Sequence, residues 1–207
     1  MNQPVLIHAE EIAPQPWRNG GGRTRELLTW PAGANPWQLR ISLAEVRSDG
    51  PFSLFPGIER WFTVIDGAGV RLLLDTREHR LQPDSAPLQF SGAVPAFCTL
   101  IDGATTDLNL MHAGGQASML QAQSGLSWRS SLPQRGVFTR TAGLWRAGDA
   151  SSIRLPARCL LWLDGAADQS WTFHAGNPSA TVPALWLGFV PDAHGPAVHD
   201  ADTRVQT

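Results

Sequence analysis

The chain has no tyrosine and no lysine, only two cysteines, and charged residues at just 16% of its 207 positions. Its basic side chains are all arginines, scattered along the chain, and the net charge is −2. Such a balance lacks the clustered positive charge that binds a phosphate backbone, so nucleic acid is not an expected partner. No stretch approaches the roughly 18 apolar residues of a membrane span. Met1-Asn2-Gln3-Pro4 shows no basic region leading into an apolar run, so a membrane is not expected and the cytoplasm is the expected location. Cys98 and Cys159 each lie in an apolar run with no second cysteine nearby, which excludes a metal knuckle or redox pair and predicts buried thiols. The six histidines form no His-x-His pair, so neither a metal nor any other cofactor is expected. Asn19-Gly20-Gly21-Gly22 lacks the Gly-Lys-Ser/Thr that completes a phosphate loop, and no Gly-x-Ser-x-Gly nucleophile elbow occurs. Ser53 sits in a turn-rich stretch, where its plain role is to satisfy loop backbone.

What the chain does contain is apolar residues at 43% of positions, enough to bury a large core, in short alternating runs. Trp37 to Ala44 alternates, with Trp37, Leu39, Ile41 and Leu43 on one face and Gln38, Arg40, Ser42 and Ala44 on the other. Asp107 to Met111 alternates likewise. Arg60–Ile65, Val70–Leu74, Leu88–Phe90, Val137–Arg140, Trp171–Phe173 and Leu185–Val190 read as further strands bounded by Gly, Pro, Asp and Ser. Helix signals are nearly absent, so the expected class is all-β, a sandwich or barrel. "WFTVIDGAG" from Trp61, "CTLIDGATT" from Cys98 and "CLLWLDGAA" from Cys159 each run an apolar strand into Asp-Gly-Ala, a hairpin signal. Asp66 and Asp164 lie about one small domain apart, consistent with a duplicated unit. The segment from Pro191 is polar and without period, and a loosely ordered tail is expected over 191–207.

Two features carry possible chemistry. Three consecutive glycines in Trp17-Arg18-Asn19-Gly20-Gly21-Gly22-Arg23 imply a tight turn, an amide cradle for an anion, or a close approach of backbone to a ligand. Asn19, Thr24, Glu26, Arg40, Ser42, Arg60, Asp107 and Asn109 place polar groups on otherwise apolar strands. Arg40 and Ser42 face either solvent or the inside of a barrel, and periodicity alone leaves both open. An inward arginine would need a partner such as Glu26, Asp107 or an anionic ligand, because an unpaired buried charge is very costly.

The order "PWRNGGGRTREL", "WQLRISLAEVRSDGPFSLFPGIER", "FTVIDGAGVRL" and "LIDGATTDLNLM", from Pro16 to Met111, resembles the HutD/Ves family of the cupin superfamily. The resemblance implies a bicupin, two small jelly-roll barrels in one chain: 1–112 carrying the family motifs, and 113–190. It also implies a non-catalytic protein that binds a carboxylate metabolite, such as N-formylglutamate or urocanate, and modulates histidine utilisation. The family's motif residues fall on Asn19, Gly20, Gly21, Gly22, Thr24, Glu26, Ser42, Asp49, Gly50, Phe52, Ser53, Gly57, Arg60, Gly103, Asp107 and Asn109. The ligand site expected from motif and pattern together comprises Asn19, Gly20, Gly21, Gly22, Thr24, Glu26, Arg40, Ser42, Phe52, Ser53, Arg60, Asp107 and Asn109. The triglycine would stand at its mouth, with Phe52, Phe55 and Trp61 as nearby aromatics. The alternatives are a metal-independent cupin enzyme with Glu26 or Asp107 as general base, or a protein-interaction module; the expectations leave room for a homodimer.

Overall fold

A computed structural model describes residues 4–165 and 169–192. Among the described residues it is all-β apart from one short 3-10 turn, Ala9–Glu11. The chain forms two compact units, Ala13–Gln116 and Ala117–Val190, the second joined by the segment that ends at Ile12. That last assignment corrects the expected 1–112 unit at its start: β1 (Val5–His8) pairs with Cys159–Trp162, far along the chain. Of the expected tail, only Pro191 and Asp192 are described; 193–207 lie outside the described residues.

Ten strands follow within Ala13–Gln116: β2 (Gln15–Pro16), β3 (Gly22–Trp30), β4 (Leu39–Val46), β5 (Gly50–Pro51), β6 (Ile58–Asp66), β7 (Val70–Leu74), β8 (Arg77–Leu81), β9 (Leu88–Ser91), β10 (Ala96–Leu100) and β11 (Thr105–Ala113). They make a six-stranded sheet in the order β2-β3-β4-β11-β6-β9 and a four-stranded sheet in the order β5-β10-β7-β8. The remaining strands are β12 (Gln116–Ala122), β13 (Ser127–Trp128), β14 (Gln134–Thr139), β15 (Gly143–Ala147), β16 (Ile153–Leu155), β17 (Cys159–Asp164), β18 (Trp171–Ala175) and β19 (Ala184–Val190). With β1 they form a five-stranded sheet, β1-β17-β14-β19-β12, and a four-stranded one, β13-β18-β15-β16. The sheets are open rather than closed barrels.

The three Asp-Gly-Ala turns depart from the hairpin reading. Each carries the chain from one sheet of a unit to the other: β6 to β7, β10 to β11 and β17 to β18. Gly67, Gly103 and Gly165 all hold positive φ there, which is why glycine follows the aspartate. In the first unit, Val46, Phe62 and Val64 from the larger sheet meet Val70, Leu72, Leu74, Leu81 and Cys98 from the smaller one in a common core. In the second, Trp145, Trp171 and Trp186 fill the core with Trp128 packed against them; Trp128 stacks on Trp186 at 5.0 Å between ring centres. Both cysteines are free and buried, Cys98 in one core and Cys159 in the other.

Candidate functional site

Strand β4 presents two faces of different chemistry. Leu39, Ile41 and Leu43 are buried on one face, while Arg40, Ser42, Ala44 and Val46 on the other line a cavity of about 410 Å³ in the first unit. Register extends this cavity-facing surface across the sheet. Arg40 lies beside Met111, Ser42 beside Asn109 and Ala44 beside Asp107, while on the far side of β11 Met111 meets Arg60, Asn109 meets Phe62 and Asp107 meets Val64. A register shift between Thr106 and Asp107 sets the start of this row, a bulge of the kind that re-aims a side chain.

Arg60 is 6% exposed. Its Nη2 donates to Asn109 Oδ1 at 2.7 Å, its Nε has no partner among the described residues, and its guanidinium carbon lies 5.2 Å from the Phe52 ring centre, 5.1 Å from that of Phe90 and 6.0 Å from that of Phe55. The rings offer their electron-rich faces to the cation. Burial, and then the neighbouring Arg40 charge, bring the Arg60 pKa down to about 10, against an opposing pull from Asp107. Asp107 is fully buried, and among the described residues neither carboxyl oxygen has a hydrogen-bond partner. Burial raises its pKa well above the usual carboxylate range, although Arg60 works the other way. Arg40 is held differently: its Nε donates to Glu26 Oε2 at 2.8 Å, a partly exposed pair.

The triglycine is a turn and a packing point. Trp17 N donates to Gly22 O at 2.9 Å and Gly20 N to Trp17 O at 3.0 Å, closing the link between β2 and β3, with Gly20 at φ +73°. Asn19 Oδ1 accepts from Gly21 N at 3.0 Å, and Gly21 O accepts from Arg47 N at 2.8 Å. A Cβ on Gly22 would run into the Glu45 carbonyl and the Trp17 ring. The same turn fixes Trp17, whose indole N–H donates to Thr24 Oγ1 at 2.8 Å.

Of the residues expected in the site, Asn19, Thr24, Arg40, Ser42, Phe52, Ser53, Arg60, Asp107 and Asn109 line this one cavity. Gly20, Gly21, Gly22 and Glu26 do not line it: the glycines shape the turn, and Glu26 reaches Arg40 from a strand whose outer neighbour, β2, pairs only at Gln15 and Pro16. Trp61 also stays out of the lining, since it alternates with Arg60 and Phe62, whereas Phe55 is in it. Trp17, Arg18 and Met111 join the lining without having been expected; Met111 could have been found as the next same-face position after Asn109. Among the described residues, no three His, Cys, Asp or Glu side chains gather as a metal site needs. The cavity wall thus carries Arg40 and Arg60 at one end of the row, hydroxyl and amide side chains beside them, and the buried carboxyl of Asp107 at the other end, a set of groups suited in kind to an anion.

The fold is cupin-like. The chain superposes on a cupin 2 conserved barrel domain protein from Leptotrichia buccalis with a TM-score of 0.52 at 10% identity, covering 91% of this chain and 96% of that one. At closer range, the HutD family model matches residues 9–181, and the chain belongs to the HutD family. It is 31% identical to protein Ves of Citrobacter koseri over 182 residues, 85% of this chain and 92% of that protein. It is 39% identical over 115 residues to an uncharacterised 21.2 kDa protein in the hutC 3' region of Pseudomonas putida; that match spans 55% of this chain and 60% of the relative. The structure of HutD from Pseudomonas fluorescens SBW25 (formate condition) aligns with a TM-score of 0.78 at 25% identity, covering 91% of this chain and 98% of that one.

Proposed function

We propose that the chain is a cytoplasmic binding protein of the histidine-utilisation system, taking a small carboxylate metabolite such as N-formylglutamate or urocanate into the cavity of its first unit without catalysing a reaction. The observation that carries this reading is Arg60: a guanidinium almost wholly withdrawn from water, lining the cavity, and bonded to a neutral amide instead of a carboxylate. An incoming acid would supply the missing negative charge. Micromolar affinity needs about 8 kcal/mol, whereas one charge-assisted hydrogen bond nets roughly 1.5–3, so several groups must act together. Arg40, Ser42 and Thr24 line the same space, and Thr24, which already accepts from Trp17, keeps its hydroxyl hydrogen to give. The membership of the HutD family and the relative in the hutC 3' region support the link with histidine utilisation. The pairing of two sheets around a core in each unit supports reading the whole as two cupin-like barrels.

Calorimetry with urocanate and N-formylglutamate tests the proposal. Arg60→Met keeps the apolar stem among the phenylalanines and drops the charge, so affinity should fall roughly 10- to 100-fold while the thermal midpoint changes little. Absence of binding heat and thermal shift for both acids, with folded protein, would end it. A second reading, a metal-independent enzyme, is favoured by the raised pKa of Asp107, which suits a general base. Turnover of either acid that disappears in Asp107→Asn would establish that reading instead.

A further inference from the structure

Asp107 has no hydrogen-bond partner for its carboxyl among the described residues. Its two cross-strand neighbours are Ala44 and Val64, which have no polar side-chain atom. The adjacent amide on its own face, Asn109, accepts from Arg60 through its oxygen, and its N–H2 makes no hydrogen bond to Asp107. Arg60 exerts a charge on Asp107 but forms no hydrogen bond with it, and both carboxyl oxygens stay unpartnered inside a cavity wall. A buried carboxyl left in this state is costly, and a site that builds such an acceptor strongly rejects ligands lacking the matching donor.

We propose that Asp107 accepts a hydrogen bond from an N–H of the bound acid, so that this cavity selects carboxylates bearing an amide or azole N–H over carboxylates of similar shape without one. The inference rests on the carboxylate-binding reading above and adds its second pole. The arginines hold the acid group at one end of the row, Asn109 stands between, and Asp107 reads the donor at the other end. The chemical class is thus an N-acyl amino acid or an azole carboxylate, with acid and N–H separated by a short carbon spacer.

Two matched pairs test this on the full chain by calorimetry: urocanate against trans-cinnamate, which keeps the carboxylate and planar shape but has no N–H, and N-formylglutamate against glutarate. At least one N–H-bearing acid should bind tenfold or more tighter than its partner. In Asp107→Leu, which replaces the carboxyl by hydrocarbon of similar size, that preference should collapse to within about twofold, the N–H-bearing acids losing far more affinity than cinnamate or glutarate. Asp107→Asn, which retains a carbonyl acceptor, should keep part of the preference and serves if the leucine variant does not fold. Equal affinities within both pairs, or equal weakening of all four acids by Asp107→Leu, would overturn the inference while leaving carboxylate binding intact. Failure of all four acids to bind wild-type protein would overturn the carboxylate reading and this inference together.

Discussion

A buried carboxyl without partners and a buried guanidinium without an ion pair, facing one cavity, are expensive at the level of single residues. For Asp107 the cost has a sign that pH reveals. Its native pKa lies above the unfolded value of about 4, so between the two the native state holds a proton that the unfolded chain has already released. Stability contributed by the protonated carboxyl is therefore present at low pH and lost as pH rises through that window, with a slope of up to about 1.4 kcal/mol per pH unit. Asp107→Asn should remove this slope. Urea unfolding of ligand-free wild type and variant at intervals from pH 4 to pH 8 measures it, and parallel curves would mean that Asp107 is solvated or paired in the native protein. Arg60 escapes the worst of its own burial through its three phenylalanine neighbours and Asn109, which is why the stem-preserving methionine substitution separates charge from packing.

At the scale of elements, the β2–β3 turn positions one wall of the cavity through Trp17, and its weakest tolerance is at Gly22. Adding a methyl there drives it into the Glu45 carbonyl, main chain that cannot swing aside, as well as into the Trp17 ring. Gly22→Ala should destabilise the protein by about 1–3 kcal/mol, and quenching of tryptophan fluorescence should report Trp17 becoming more accessible; an unchanged denaturation midpoint would show that the turn yields freely. The strand pattern was readable in advance: the alternation from Trp37 to Ala44 is realised as Leu39–Val46, and Asp107 to Met111 lies within Thr105–Ala113. Period two separates two faces but cannot say which one meets water, and in β4 both are largely buried, so the inward aim of Arg40 and Ser42 emerged only from the sheet. Glu26 shared their polar pattern yet sits by an open sheet edge. β14 was half hidden because Gln134 and Arg135 look like loop residues, although every position from Gln134 to Thr139 is buried. Arg135 stays there with its Nη1 donating to Gln169 O at 3.1 Å and its guanidinium carbon 4.8 Å from the Trp171 ring centre, contacts between strands and loops that no local spacing announces.

The whole molecule divides its labour unevenly between units. One interior holds the polar row; the other is packed with tryptophans, its Trp145 and Trp171 rings meeting edge to face at 5.0 Å. The second unit also depends on chain from the far end of the sequence, since β1 covers the edge of β17 with Val5 opposite Trp162 and His8 opposite Cys159. The attachment continues through Ala9, fully buried, whose N–H donates to Arg158 O at 3.0 Å, whereas the exposed Glu10–Arg158 pair adds little. A chain beginning at Ala13 would leave the β17 ladder unpaired on that side and open to exchange or to pairing with another chain. Hydrogen exchange should then accelerate in Cys159–Trp162 and along β17, while the affinity for whichever acid the intact chain binds should stay within about twofold, because every residue lining the cavity lies between Gln15 and Met111. Unchanged protection of β17 would mean that its stability comes from β14 alone, and loss of acid binding on the same truncation would mean that the cavity draws its order from beyond its own unit.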